Sequence, residues 1–163
     1  MHEPVLLKEA CENLHIKAGE KYIDATLGAG GHTREILKLG GEVLGIDQDK
    51  SMIEIANDNL KDIKEACPSF KLVYGNFKDI DLLAHENGFY PVAGILMDLG
   101  VSSFHFDDRE RGFSFRFPDA ELDMRLDKSL GVKAADLLNV LPIVELTKLL
   151  ESRSLAKKIV EKR

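Results

Sequence analysis

Short apolar runs alternate with helix-period segments along the first hundred residues of the chain. Runs of strand length occur at 21–28, 42–47, 70–75 and 92–99. The segments between them repeat apolar positions every three or four residues, which is the spacing of an amphipathic helix. Parallel strands need a crossover element between them, so this alternation predicts βαβ units and a parallel sheet. The run around Gly94 is apolar enough for a strand that is buried on both faces.

Glycine and proline residues mark the ends of the predicted helices. Gly40 and Gly41 stop the first helix and Pro68 ends the second, because glycine favours a helix C-terminus and proline cannot continue a helix. The helices of this half are predicted at 34–40, 50–66 and 78–86.

The pattern changes after Gly100. Residues 101–127 show no clean period and contain five phenylalanines and four arginines. A loop this long inside a domain is usually functional or disordered, and the aromatic content argues against disorder. Helical spacing then returns at 133–141, 143–150 and 154–162. We therefore predict two parts, a sheet-based core at 1–103 and a loop with a helical segment at 104–163.

The number of predicted strands is low for a doubly wound sheet, which usually holds about five to seven. We therefore expect the chain to be a fragment of a longer protein, with an incomplete sheet. An uncovered sheet edge also favours pairing with a second copy, so a dimer is a candidate oligomeric state.

Composition limits the class of protein. Apolar residues make up 44% of the chain and charged residues 31%, which is typical of a globular domain. No apolar run approaches the roughly 20 residues of a membrane span, and the N-terminus lacks the features of a signal peptide. These features predict a cytoplasmic protein with no membrane partner. Two cysteines, Cys11 and Cys67, are too few for a metal knuckle or a disulfide framework, so no metal site is predicted.

The net charge of −6 argues against a free-standing nucleic-acid-binding domain, which usually has a basic face. The charge is unevenly spread, however, because residues 148–163 contain six lysines or arginines and only two glutamates. This segment either contacts phosphates or forms the solvated face of a helix.

A glycine-rich turn follows the first predicted strand. The segment from Asp24 to Thr33 contains Gly28, Gly30 and Gly31, and it opens a helix. Glycine permits a tight turn and a close approach of a ligand to the backbone, while amides at a helix N-terminus point toward the ligand. The alternative is a tight strand-to-helix turn that binds nothing.

Asp47 ends the second predicted strand, 19 residues after Gly28. A carboxylate at this place can accept hydrogen bonds from both hydroxyls of a ribose. It could instead cap the following helix, and Asp49 is a nearby competitor for the ribose. The glycine turn and the acidic residue together favour a cofactor that contains a nucleoside.

The details of the turn discriminate between cofactors. A dinucleotide-binding turn needs a third glycine, and Thr33 stands in its position. S-adenosyl-L-methionine has no phosphate and does not need that close approach. Its α-amino group could bind the carboxylate of Asp24 directly or through water. The sequence therefore favours S-adenosyl-L-methionine over NAD.

Two further side chains follow predicted strands. The ring of Phe77, after the third strand, could stack on adenine or pack in the core. Asp98 ends the fourth strand, at the edge where ligands bind in doubly wound sheets. It could act on a methyl acceptor or cap a helix, and we take it as the candidate catalytic residue.

Eight segments stand in order along nearly the whole chain: HEPVLLKE, DATLGAGGHT, GIDQD, NF, GILMDLGVSS, RGFSF, LDMRLD and LAKKIVEKR. Together they resemble the bacterial 16S ribosomal RNA cytosine-N4 methyltransferase family (MraW-like). The combination of GILMDLGVSS with RGFSF and LDMR is the most specific part of the resemblance, whereas GAGGHT alone would not be specific.

The resemblance implies an α/β fold, namely a Rossmann-like class I methyltransferase core, incomplete here, with the start of an inserted helical domain that recognises RNA. It implies that the acceptor is the exocyclic amine of a cytosine in the decoding region of the small ribosomal subunit. It implies S-adenosyl-L-methionine contacts at Gly30, Gly31, His32, Asp47, Phe77 and Asp98.

The chain departs from the family pattern in three places. Phe104 and His105 stand where the family has Pro-Gln, so His105 replaces a glutamine that contacts the cofactor. A Tyr-Gly-Glu-Glu segment expected between Leu150 and Ser154 is absent, and family members continue past Arg163.

The hypothesis for the mechanism starts from the weakness of an exocyclic amine as a nucleophile. A hydrogen bond from the amine to Asp98, or to the carbonyls just after it, would localise the lone pair. A paired base must also leave its stack, and the loop offers aromatic faces for the base and arginines for phosphates. The candidate RNA contacts are Arg109, Arg111, Phe113, Phe115 and Arg125. The alternative is a structured lid with internal ion pairs, because seven acidic residues share the segment.

Methylation at carbon 5 would need a cysteine nucleophile, and neither cysteine belongs to the Asp98 loop. Two rival functions remain open at this point. One is a non-catalytic module that binds the cofactor or RNA, and the other is an NAD-dependent oxidoreductase.

Overall fold

The computed structural model describes residue 4 and residues 6–66 and 69–163. Cys67, and Pro68, which was predicted to end the second helix, lie outside the described residues. The chain divides into two compact units, Met1–Ser102 and Ser103–Arg163. Within the described ranges, no helix is long and apolar enough to cross a bilayer.

The first unit is a parallel sheet with helices in the connections, as the alternating pattern predicted. The strands lie in the order β3-β2-β1-β4, and all three neighbouring pairs are parallel. The elements are α1 (Leu7–Leu14), β1 (Lys21–Asp24), α2 (Gly31–Lys38), β2 (Glu42–Asp47), α3 (Lys50–Asn59), α4 (Lys61–Ala66), β3 (Phe70–Tyr74), α5 (Ile80–Asn87) and β4 (Gly94–Leu96).

Side chains of the two central strands alternate between two apolar clusters. Tyr22 of β1 and Val43 of β2 belong to one cluster, which also contains Ile36 and Leu37 of α2. The next residues along the two strands belong to the other cluster, together with Ala84 of α5. Because successive strand residues point to opposite faces, this division places β1 and β2 between two helical layers.

Several predicted boundaries were wrong by a few residues. The first strand was expected to reach Gly28 but ends at Asp24, and the fourth strand is only Gly94–Leu96. After Asp24 the chain turns, although the amide of Leu27 still donates to the carbonyl of Ile46 at 3.0 Å. The helix α1 had not been predicted.

The single helix predicted at 50–66 is two helices that meet at Leu60. The amide of Ile63 donates to the carbonyl of Leu60 rather than to that of Asn59. The guanidinium of Arg34 donates to the Asn59 carbonyl instead. A side chain that is distant in sequence therefore fixes the break, which explains why the local pattern did not reveal it.

The second unit contains a long loop and three predicted helices, all of which the structure confirms. Leu146 and Ala156 are fully buried where α8 and α9 pack together. In the described segment 108–133, regular structure is limited to the 3-10 turn Arg109–Arg111. The helices of this unit are α6 (Ser103–Asp107), α7 (Ala134–Val140), α8 (Ile143–Leu150) and α9 (Arg153–Lys162).

Candidate functional site

The candidate site lies at the carboxyl ends of the parallel strands in the first unit. β1 pairs with β2 on one side and with β4 on the other, so the strand order reverses at β1. Asp24 is level with Gly45 of β2 and with Leu96 of β4. Doubly wound sheets bind ligands outside the carboxyl ends of the strands at this reversal.

The glycine turn adopts backbone conformations that only glycine takes at low cost. Gly28 has φ of 51° and Gly30 has φ of 84°, both in the left-handed region. Among the described residues, a Cβ added at Gly28 would meet only the Thr26 carbonyl oxygen, at 3.9 Å, so space for a ligand remains over the backbone. A Cβ at Gly31 would lie 2.2 Å from Cγ of Pro4, so this glycine permits close packing of Pro4.

Asp47 is held by the backbone around it. One carboxylate oxygen accepts the amide of Gly28 at 2.8 Å, and the other accepts the amide of Asp49 at 2.9 Å. Asp49, and not Asp47, is the cap of α3, because its side chain accepts the amide of Ser51. The capping alternative for Asp47 is therefore wrong, and its half-buried carboxylate faces the glycine turn.

Asp24 is completely buried, unlike Asp47. Its carboxylate accepts the hydroxyl of Thr33 at 2.7 Å and the amide of Thr26 at 3.3 Å. Burial raises the pKa of Asp24, and the hydrogen bond from Thr33 and the charge of His32 oppose that rise. In this conformation Asp24 anchors the turn, and a contact with an α-amino group stays a prediction.

Asp98 is exposed just beyond β4, and its backbone is tied to the turn. Its amide donates to the hydroxyl of Thr26 at 2.7 Å. Thr26 lies two residues before Gly28, so one short segment joins the glycine backbone to the backbone of Asp98. The structure thus places Asp47, the predicted ribose-binding acid, and Asp98, the predicted catalytic acid, at the same end of the parallel strands.

Phe77 begins a 3-10 turn directly after β3, and 36% of its surface is exposed. A core position is therefore wrong for this ring, and its exposed part is available for stacking. His32, the second residue of α2, is buried with 6% exposure. Its contact with a cofactor stays a prediction.

His105 belongs to the second unit, where it is buried in α6. Its ring lies 5.6 Å from the ring of Phe113, and Phe106 approaches the same ring edge-on at 6.4 Å. This packing does not test the predicted contact of His105 with the cofactor, which stays a prediction.

The predicted RNA contacts of the second unit fall into two groups. Arg111 is 3% exposed and donates to the carbonyls of Arg125 and Leu126 at 3.1 and 3.0 Å. Arg125 pairs with the buried Asp123 at 2.7 Å. Arg125 thus forms an internal ion pair of the kind that the alternative expected, whereas Arg111 holds the loop together through backbone carbonyls.

The other group is at the surface. Phe115 is fully exposed, with 103% of the reference area, and Arg109 pairs with Asp119 at 2.5 Å. Both partners of this ion pair are more than half exposed, and such pairs contribute little to stability. Phe115 and Arg109 are therefore the predicted contacts that a nucleic acid could reach.

Sequence reasoning missed residues that position the site through contacts that are distant in sequence. The side-chain amide of Asn59 donates to the carbonyl of Ala29 in the turn at 3.0 Å. Thr26 and Thr33 carry the hydrogen bonds to Asp98 and Asp24. Two threonines inside a glycine turn between strand ends were a usable signal, whereas nothing near Asn59 marked it.

The fold and the site define a Rossmann-like methyltransferase core, in which a glycine turn and a strand-end carboxylate lie at the reversal of a parallel sheet. S-adenosyl-L-methionine is the methyl donor of this class, in agreement with the cofactor prediction. The chain belongs to the MraW methylase family, whose model matches residues 1–163. This assignment favours the methyltransferase hypothesis over the NAD-dependent oxidoreductase.

The curated relatives agree with the assignment, and one solved structure is given for comparison of the fold. The chain is 42% identical over 172 residues to a ribosomal RNA small subunit methyltransferase H of Clostridium botulinum, covering 99% of this chain and 54% of the relative. It is 46% identical over 142 residues to a protein of the same name from Bacteroides fragilis, covering 85% and 43%. The C-terminal domain of precorrin-6Y C5,15-methyltransferase from Rhodobacter capsulatus superposes with a TM-score of 0.49 at 20% identity, covering 63% and 52%. The chain thus spans about half the length of the curated relatives it matches.

Proposed function

We propose that the full-length protein transfers a methyl group from S-adenosyl-L-methionine to the exocyclic N4 amine of a cytosine in 16S ribosomal RNA, in the decoding region of the cytoplasmic small subunit. The observation that carries this proposal is that both candidate acids lie at the carboxyl ends of the strands that flank β1 and are held by the same turn. There the Gly28 amide holds Asp47, and the Thr26 hydroxyl holds the backbone of Asp98.

The donor set suits this cofactor. Asp47 offers half-buried carboxylate oxygens, and a carboxylate oxygen can accept more than one hydrogen bond, so ribose hydroxyls can bind beside the backbone amides. Phe77 offers a partly exposed ring for adenine, and Gly28 leaves open space over the backbone. When bound, S-adenosyl-L-methionine supplies the methyl group and departs as a neutral thioether.

Asp98 is the residue that would act on the acceptor. A hydrogen bond from the cytosine amine to its exposed carboxylate keeps the lone pair of the nitrogen on that atom. After methyl transfer, the proton of the amine passes to this carboxylate or to water. The remaining contribution is positioning, because two reactants held in line need no further search for orientation.

RNA recognition is assigned to the surface group of the second unit. A fully exposed phenylalanine ring is a stacking platform for an unpaired base, and an arginine in a weak surface ion pair can exchange its partner for a phosphate. Arg111, Phe113 and Arg125 would then support this surface from within the loop. Pairing of two copies stays a prediction that sedimentation of the full-length protein measures.

The test compares Asp98→Asn with Asp58→Asn in the full-length protein, using tritiated S-adenosyl-L-methionine and small ribosomal subunits. Asp58 is an exposed acid on α3, so it controls for the loss of one charge. We expect Asp98→Asn to lower turnover by about a hundredfold or more, the scale of a lost proton acceptor. Mass spectrometry of the RNA identifies the methylated nucleoside.

Turnover of Asp98→Asn within about tenfold of the parent enzyme, a loss of ~1.4 kcal/mol, would contradict the role of Asp98. Methylation at carbon 5 or at a ribose would contradict the proposed acceptor. Binding of the subunit without any methyl transfer by the parent enzyme would favour the non-catalytic module.

A further inference from the structure

A chain of hydrogen bonds joins the carboxyl ends of β2 and β3 beside the proposed cofactor site. The backbone amide of Lys78 donates to Oδ1 of Asn76 at 3.0 Å. The side-chain nitrogen Nδ2 of Asn76 donates to Oε1 of Gln48 at 2.9 Å. Gln48 and Asn76 are 28 residues apart, so only the fold brings them together.

This chain has a fixed polarity. A backbone amide can only donate, so Asn76 must present its oxygen to Lys78. Its NH₂ group therefore faces Gln48, which must present an oxygen in turn. The NH₂ group of Gln48 is left on the other branch of its amide, and it can only donate. Among the residues that the structure describes, that group has no hydrogen-bond acceptor in the protein.

Gln48 directly follows Asp47, the residue proposed to bind the ribose, and it is half-buried. Asp47, the proposed acceptor of the ribose hydroxyls, is thus followed directly by Gln48, whose remaining NH₂ group can only donate. The ring nitrogens of adenine can only accept, and N3 is the ring nitrogen on the side of the ribose. A donor placed one residue after the ribose acid therefore complements N3.

We propose that Nε2 of Gln48 donates a hydrogen bond to adenine N3 of S-adenosyl-L-methionine, and that Asn76 is a positioning residue that keeps the Gln48 amide in this orientation. This inference rests on the proposed function, because it assigns the base specificity of the same site. Gln48 then distinguishes adenine from any base that lacks an acceptor at this position.

The test reverses the polarity of the chain. In Asn76→Asp, one carboxylate oxygen still accepts the Lys78 amide, so the cap is kept. The other oxygen replaces a donor, so the Gln48 amide turns its NH₂ group toward residue 76 and its oxygen toward the base. Gln48→Leu removes the donor without this reversal. Asn57→Asp, at an exposed position of α3, controls for the added charge.

Calorimetry of the full-length protein measures the Kd of S-adenosylhomocysteine and of its 3-deaza analogue, in which a C–H replaces N3. We expect the analogue to bind the parent protein and Asn57→Asp about tenfold more weakly than S-adenosylhomocysteine does, the scale of one hydrogen bond in a binding site. In Gln48→Leu and Asn76→Asp this difference between the two ligands should disappear. Asn76→Asp should also bind S-adenosylhomocysteine at least about tenfold more weakly than the parent protein does. Thermal unfolding confirms that the variants are folded.

Equal binding of the two ligands by the parent protein would overturn the assignment of N3. A tenfold difference that persists in Gln48→Leu would show that another group contacts N3. Unchanged affinity for S-adenosylhomocysteine in Asn76→Asp would remove the positioning role of Asn76. Failure of the parent protein to bind S-adenosylhomocysteine at all would instead contradict the proposed function itself.

Discussion

The glycine turn of the first unit and the arginine loop of the second are both irregular segments, but they are held in different ways. The turn is fixed by short polar contacts to strand ends, such as the Gly28 amide on Asp47 and the Thr33 hydroxyl on Asp24. The loop is fixed by the buried Arg111, which donates to backbone carbonyls 14 and 15 residues further along the chain. The comparison shows that a turn beside a sheet is held by contacts to the strand ends, whereas a loop without strands is held by its own buried side chains.

The largest expected effect tests the interior of the loop. In Gly112→Ala, the new Cβ would lie 2.5 Å from the Glu121 carbonyl oxygen and 2.6 Å from the Asp123 amide, at a φ of 68°. Neither backbone contact can move cheaply, so we expect a loss of about 3 kcal/mol or more in unfolding free energy, measured in urea. Gly131→Ala is the control, because a Cβ there meets nothing within 4 Å. Equal losses in both variants would contradict this account of the loop.

The next effect concerns the outer surface of the same loop. Phe115→Ala removes a fully exposed ring, so the free energy of unfolding should stay unchanged. Binding of the full-length protein to small-subunit RNA should weaken by about tenfold or more, the scale of one stacked base. Leu149→Ala, an exposed apolar residue of α8, is the matched control. A filter-binding assay in which both variants bind equally well would remove Phe115 from the RNA surface.

The turn is tested by Gly28→Ala, whose Cβ meets no clash but whose φ is 51°. We expect about 1 kcal/mol of lost stability from the left-handed backbone. We also expect weaker binding of S-adenosylhomocysteine, because the new methyl group occupies the space over the turn. Gly19→Ala, with φ of 77° and no neighbour within 4 Å, carries the same strain outside the site. Calorimetry should therefore separate the two variants, although their stabilities fall alike.

The smallest effect concerns charge within the loop. The Arg125 guanidinium lowers the pKa of Asp123 from 3.8 to about 2. A lowered pKa means that the stabilisation is present above about pH 4 and is lost as the pH falls toward 2. We expect Asp123→Asn to remove about 1 kcal/mol of this pH-dependent stability, since Asp123 is buried but the partly exposed Arg125 guanidinium lets solvent weaken the pair. Urea unfolding between pH 2 and 6 measures it, and Asp119→Asn, in an exposed pair, should change the profile less.

The difference between the two regions also decides what the sequence could reveal. The alternation of strands and helices, the glycine turn and the place of Asp47 at the end of β2 were predictable, because alternating apolar runs and glycine spacing are local signals. The break at Leu60 and the bond from Asn59 to the turn were not, because each depends on a partner about 25 to 30 residues away. The same holds for the buried role of Arg111, whose charge suggested a phosphate contact or an internal ion pair, whereas it donates to backbone carbonyls.

The hydroxyl of Thr26 has a consequence for the catalytic cycle. It accepts a hydrogen bond from the backbone amide of Asp98 at 2.7 Å, and Gly28 follows Thr26 by two residues in the chain. In the proposed reaction, a shift of the turn as the spent donor leaves would therefore reach Asp98, the acid proposed to hold the base. Release of the thioether would then be coupled to release of the modified nucleotide.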